Sequence, residues 1–220
     1  MIYLANSVSI EAVKEAKQSS KDRKFQESIE MAVNLKEVDL SDPKNRLNEE
    51  IMLPKGRGRK YKVAVIGTEE MRDKGKDLAD YMYGPEDVTK FADDKKDFKK
   101  LANDVDFFVA EATLMATIGK SLGQVLGPRG KMPRPLPPGQ DPSPLIANLK
   151  QTVRARSKDK KTLHVPVGTK DMSDEDLAEN VDAVITRLAG KLEKGYNNID
   201  SVYVKTTMGK AVRLKMEEYK

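Results

Sequence analysis

Apolar and polar positions along this chain follow two rhythms. Near the amino terminus Ile29, Met31, Val33 and Leu35 alternate with Glu30, Ala32 and Asn34, the period of a strand with one buried face. Leu47, Glu49, Ile51 and Leu53 predict a second such strand, ended by Pro54 and Gly56. Ser9 is placed to cap a short helix carrying Ile10, Val13 and Ala16. From Lys62 the rhythm changes. Val63, Ala64, Val65 and Ile66 form an unbroken apolar run, and Phe107, Phe108, Val109 and Ala110 form another, as expected of strands covered on both faces. Helical spacing follows each run: Met71, Leu78, Ala79 and Met82 after Thr68, stopped by Gly84 and Pro85, then Leu114, Met115, Ile118 and Leu122. Ser143 and Pro144 open one more helix, through Leu149. Strands alternating with helices predict a parallel sheet, a Rossmann-like α/β layer.

After residues 158–161 the half-buried alternation returns at Leu163, Val165 and Val167. Ser173 then caps the strongest helix of the chain, with Leu177, Val181, Val184, Ile185, Leu188 and Leu192 on one stripe and Gly195 at its end. Val202, Val204 and Thr206, followed by Val212, Leu214 and Met216, predict a closing hairpin. The economical fold is α/β and α+β in two domains. Residues 1–57 and 155–220 make a split α+β domain from both termini, and residues 58–154 make an inserted Rossmann-like α/β domain. The connections, residues 55–60 and the stretch around 154–161, are basic and are placed to act as a hinge.

Composition narrows the chemistry. At 220 residues the chain can bury two cores. Its 40 Lys and Arg against 35 Asp and Glu, a net charge of +5, tolerate an acidic partner without requiring one. With no cysteine, disulfides, thiolate metal sites and cysteine nucleophiles are excluded together, and one histidine leaves no room for ordinary zinc chemistry or a triad. No apolar stretch approaches the roughly 18 residues that span a bilayer. Residues 1–7 lack the basic start and apolar core of a secretory signal, so the expectation is a cytoplasmic protein away from membranes.

Nucleotide chemistry fits poorly. Gly119, Lys120 and Ser121 end like a phosphate-binding loop, but Leu114 stands where its first glycine belongs. Gly56 and Gly58 lack the third dinucleotide glycine and precede their strand. A nucleotide-dependent enzyme in the middle domain is the competing reading, and the residues expected of one are missing. The proline-flanked loop of residues 127–135 carries Arg129, Lys131 and Arg134 and is a candidate for contact with nucleic acid or a neighbouring protein. His164 faces away from the apolar alternation as a solvated bystander. Residues 93–100 are most simply a solvated helix face.

Two stretches suit RNA. Thr206, Thr207, Met208 and Gly209 end a strand with two hydroxyls, a flexible thioether and a residue that lets a backbone come close. On those four residues alone an ordinary hairpin turn is the simpler account. Phe25, preceded by Lys21, Arg23 and Lys24, serves equally as core or as a single stacking ring beside a cationic rim.

Taken together, these residues resemble the L-one family of large-subunit ribosomal proteins. The resemblance rests on Lys24 and Phe25 with Ser28 and Glu30, on residues 53–58, on residues 126–133, on residues 165–168, and on residues 201–209. The short connection after Leu192 resembles the archaeal branch. The resemblance implies a non-enzymatic protein, without cofactor or metal, whose split domain grips large-subunit rRNA in the mobile stalk. It also implies that the protein assists release of exit-site tRNA and represses its own mRNA, and is a monomer outside the ribosome. The family's RNA contacts fall here on Lys24, Phe25, Ser28, Glu30, Asp159, Lys160, Gly168, Ser201, Thr207, Met208 and Gly209. The family's proline after this last glycine is replaced by Lys210.

Overall fold

A computed structural model describes residues 6–219, so the reading of residues 1–5 as free of a secretory signal lies outside the described residues. The chain runs through α1 (Ser7–Gln18), β1 (Ser28–Leu35) and β2 (Asn48–Met52). It continues through β3 (Val63–Ile66), α2 (Glu69–Gly75), β4 (Tyr81–Tyr83), α3 (Pro85–Asp93), α4 (Lys95–Asp104), β5 (Phe107–Glu111), α5 (Met115–Arg129), β6 (Arg134–Leu136) and α6 (Ser143–Lys150). It closes with β7 (Thr152–Arg156), β8 (Thr162–Thr169), α7 (Asp174–Ala189), β9 (Ile199–Thr206) and β10 (Val212–Leu214). Two compact units result, one of residues 1–59 with 151–220 and one of residues 60–150.

In the unit built from both chain ends, an antiparallel sheet has the order β10-β9-β1-β8. Its period-two pattern decides which face is buried: Ile29, Met31, Val33, Val165, Val202 and Val204 turn inward against Val13, Leu177, Val181 and Val184 of α1 and α7. A second ribbon, β2 with β7, adds Ile51, Val153 and Ala155 to that core. Residues 152–154, assigned by sequence to the inserted domain, therefore pair within this unit, and Arg154 belongs to a strand rather than a connector.

Helix ends also differ from the expectation in instructive ways. Asn6, not Ser9, caps α1, its side chain accepting from the Val8 N–H. Ser9 is buried and donates to Asp182 on α7, which also takes the Asn6 N–H at 2.7 Å and the Tyr219 phenol. Ser173 does cap α7, accepting from the Asp176 N–H at 3.1 Å, with Asp174, Glu175 and Asp176 in the first turn where they meet the helix dipole. That helix stops at Ala189, with Gly190 as its cap; Gly195, at φ +57°, instead turns the chain toward β9. Asn180 is wholly buried. Its amide donates to the carbonyls of Gly56 and Val167, both at 2.8 Å, and its oxygen accepts from the Lys55 N–H, stapling Lys55 and Gly56 to β8.

The other unit is a parallel sheet of order β4-β3-β5-β6. Both faces are covered, as the unbroken apolar runs require: Ala64, Ile66, Phe108 and Ala110 pack with α3, α4 and α5, while Val63, Val65, Phe107 and Val109 pack with Met71, Ile146 and Leu149. The helix expected from Thr68 to Met82 is only α2, and residues 81–83 form the edge strand β4. Gly84 and Pro85 start a helix instead of stopping one. Proline at the first helical position gives up no hydrogen bond there, and Asp87 accepts from the Gly84 N–H. Residues 93–100 face solvent except for Phe98, which is fully buried. The expected loop at 127–135 is mostly helix and strand. Pro128 lies inside α5, Gly130 caps it at φ +66°, and two of the loop's cations are engaged internally. Arg129 donates to Asn103 and to the Val125 carbonyl, and Lys131 to the carbonyls of Ala102 and Val105.

Candidate nucleic-acid interface

The turn between β9 and β10 is fastened to the start of β1. Thr207 donates its N–H to the Ser28 carbonyl at 3.0 Å, and its hydroxyl oxygen accepts from the Ser28 N–H at 3.1 Å. The hydroxyl proton lies within reach of the Ser28 carbonyl and of Glu30 Oε1, at 3.2 and 3.4 Å. One oxygen lone pair is left for a ligand. Gly209 donates to the Thr206 carbonyl and closes the turn, and a methyl at Gly209 would press on the buried Thr206 hydroxyl.

A residue that the sequence did not single out holds this corner together. Glu27 is buried, one position before β1. Its carboxylate accepts from the Ser20 hydroxyl and, at 3.0 Å, from the Met208 N–H, with Arg23 Nε 3.9 Å away. The Ser20 hydrogen bond leads in holding the carboxyl below the usual range; burial opposes it, and the Met208 N–H, Arg23 and Lys170 act in the same direction as Ser20. Anchored by that ion, the neighbouring side chains project outward: Phe25 is 53% and Met208 58% exposed. Phe25 is therefore not a core residue. It borders a cleft of about 300 Å³ shared with Arg23, Gln26 and Lys170. Lys24 is exposed beside it.

Of the remaining predicted positions, Ser201 lies on the outer side of the same sheet but is itself buried there, 5% exposed. Register places Ser201 opposite Asn34, and Asn34 opposite Thr162. The three are linked, with Asn34 Nδ2 donating to Ser201 Oγ at 2.9 Å and Thr162 Oγ1 donating to Asn34 Oδ1 at 2.7 Å. Asp159 and Lys160 are exposed in the turn that leads into β8. The structure thus gathers Lys24, Phe25, Ser28, Glu30, Thr207, Met208 and Gly209 at one end, with Ser201, Asp159 and Lys160 toward the other. Gly168 stands apart in role. It is buried opposite Ile29, and a methyl there would meet the Leu177 side chain and Met172 Sδ, so its smallness serves packing.

The second unit offers a contrast. In parallel sheets ligands bind beyond the carboxyl ends of the strands, where the strand order reverses. Here that place lies between β3 and β5, and Glu111 fills it. This buried carboxylate accepts the Thr113 hydroxyl at 2.9 Å and the Thr68 N–H at 3.1 Å; with burial opposing, those bonds hold it below the usual carboxylate range. An amide that would greet a phosphate is already bonded to an anion of the chain itself. Among the described residues no cluster of three His, Asp or Glu is arranged for a metal ion, and no helix is long and apolar enough to cross a membrane.

Comparison with known proteins is consistent along almost the whole chain. The family model described as "Ribosomal protein L1p/L10e family" matches residues 13–210. "Large ribosomal subunit protein uL1" of Thermoplasma volcanium is 64% identical over 203 residues, covering 92% of this chain and 94% of the relative. Its counterpart in Thermoplasma acidophilum is 62% identical over 209 residues, covering 95% and 96%. The protein of the same name in Methanocella arvoryzae is 51% identical over 212 residues, covering 96% and 100%.

Proposed function

The chain belongs to the ribosomal protein L1 family and is a structural constituent of the large ribosomal subunit, and from that premise we propose that it binds large-subunit rRNA through the outer sheet face of its split unit. The observation that carries this reading is the corner built on Glu27, which holds Phe25 and Met208 outward beside Ser28, Glu30 and Thr207. Glu27 fixes the backbone at Met208, and Phe25 and Met208, both more than half exposed, are large apolar side chains open to a partner. A flat ring and a thioether suit bases and sugars, and the amide and hydroxyl of Asn34 and Thr162, held in line by Ser201, suit 2'-hydroxyls. The second unit, read as a Rossmann-like layer, has no part in nucleotide chemistry, since Glu111 occupies its crevice.

Two finer roles follow from the resemblance. The protein assists release of deacylated tRNA from the exit site as part of the mobile stalk. It also represses translation of its own mRNA, whose element competes with rRNA for the same face, the tighter site filling first by mass action. Of the cations that residues 127–135 offer for contact with nucleic acid, Arg129 and Lys131 are engaged within the second unit, which argues against them as tRNA contacts.

Binding of a large-subunit rRNA transcript to the full chain, measured across a salt series with an unrelated hairpin as competitor, tests the rRNA reading. Expected are saturable binding, a steady loss of affinity with salt as phosphate counterions are released, and little effect of the hairpin. Affinity indifferent to salt would contradict phosphate contact. Equal competition by the hairpin would leave only a general RNA chaperone.

A further inference from the structure

Between the two ends of the sheet face lies a row that neither the motifs nor the resemblance assigns. The register sets Arg213 opposite Tyr203, Tyr203 opposite Ala32, and Ala32 opposite His164. All four are on the outward side: Arg213 and His164 are exposed, Tyr203 and Ala32 half-buried, while Val202 and Val204 on either side of Tyr203 are fully buried. We infer that this row is an RNA contact in its own right, with Tyr203 as a stacking platform for a base or ribose seated in the step above Ala32. The inference rests on the rRNA reading given above and names where, between the two ends proposed there, the RNA lies.

Three observations support it. The first is continuity. Thr206 pairs with Ile29 and Ser201 with Asn34, so five residues, about 17 Å of strand at ~3.3 Å each, separate the ends of the face. A single RNA that touches both Met208 and Ser201 has to cross the row between them. The second is shape. Ala32 is the smallest side chain on the outward face of β1, between Glu30 and Asn34, and it stands between a phenol ring and an imidazole. A methyl flanked by two flat rings leaves a shallow step with stacking walls. The third is chemistry. The row carries no carboxylate and ends in a guanidinium, which suits a nucleic-acid backbone, and aromatic faces stack on bases with little regard to sequence. Tyrosine is also simply a good strand residue. Ala32 separates the two accounts, because strand propensity alone would favour a larger, β-branched residue there.

The test measures affinity of the full chain for an in-vitro transcribed large-subunit rRNA, with the thermal unfolding midpoint of each variant as the folding control. Tyr203→Ala should weaken binding by at least about fivefold, and Tyr203→Phe, which keeps the ring, by less than twofold. Ala32→Leu removes nothing and fills the step, so it should also weaken binding by at least about fivefold. Should Tyr203→Ala fail to fold, Ala32→Leu with His164→Ala decides the matter at positions that tolerate exposure. Full affinity in Ala32→Leu and Tyr203→Ala, alongside a tenfold loss in Met208→Ala, would overturn this inference and leave the rRNA reading standing. Equal losses in Tyr203→Phe and Tyr203→Ala would overturn the stacking role. No loss in any of them, Met208→Ala included, would overturn both.

Discussion

Among the described residues each unit buries one glutamate at the end of a strand, and the two are put to opposite use. Glu111, at the carboxyl end of β5, accepts the Thr68 N–H and the Thr113 hydroxyl and fills the crevice of its own sheet. Glu27, just ahead of β1, accepts the Met208 N–H and the Ser20 hydroxyl and pins a turn whose side chains then point away from it. A buried carboxylate is costly unless its lone pairs are met, and both are met. The difference lies in what surrounds them. Around Glu111 the bonded neighbours, Thr68 and Thr113, are short, and the backbone N–H that would meet a phosphate is already taken by the carboxylate. Around Glu27 the neighbours are Phe25 and Met208, both more than half exposed, so the same device produces an open, rigid edge.

The comparison can be broken in several ways. The largest effect expected is on the scaffold beneath the open edge. Asn180→Leu strands the Lys55 N–H and the carbonyls of Gly56 and Val167, and should cost the split unit about 2–4 kcal/mol, read by denaturant unfolding. Next come Phe25→Ala, Thr207→Ala and Met208→Ala. Each should weaken rRNA binding by about 1–3 kcal/mol while the unfolding midpoint changes little for Phe25 and Met208, which bury little. Thr207→Ala also removes a fastener of the turn and should lower stability measurably. A smaller, pH-graded effect is expected at Glu27. Its carboxyl lies below the ordinary value near 4.5 in the folded chain, so the ion stabilises the fold above the unfolded pKa. That contribution is lost as pH falls through the depressed folded value. Glu27→Gln should therefore be less stable than the parent chain at neutral pH, with the two acid-unfolding curves converging at low pH; curves that stay parallel would contradict a buried ion. The smallest effect concerns Glu111: addition of ATP, GTP or NAD should leave the thermal midpoint of the parent chain unmoved, and a saturable shift at micromolar ligand would reopen the crevice.

Much of this was legible in the order of residues. The strands with one buried face announced themselves through strict alternation at Ile29, Met31, Val33 and Leu35, and the doubly covered strands through their unbroken apolar runs. β7 escapes notice because Val153 and Ala155 are its only inward apolar residues, alternating with Arg154 and Arg156, a pattern that reads as a basic connector. β4 is three residues long and too short for any period to register. At the interface, the corner residues were legible and their support was not. Glu27 sits in a polar run with Lys21, Arg23 and Lys24, where an acid is ordinarily solvated, and its burial comes from Met208, far along the chain. The one local signal was an acid set among cations immediately ahead of a strand. Asn34 and Tyr203 were invisible for a similar reason, since only register across three strands brings them into line with Ser201 and His164.

The most direct test of the open-edge claim is where RNA touches the chain. Ultraviolet crosslinking of a large-subunit rRNA transcript to the full-length protein, with the crosslinked residues mapped by mass spectrometry, should concentrate on Phe25, Met208 and the outer faces of β1, β8 and β9. Crosslinks confined to residues 60–150, with that sheet face unmarked, would contradict it.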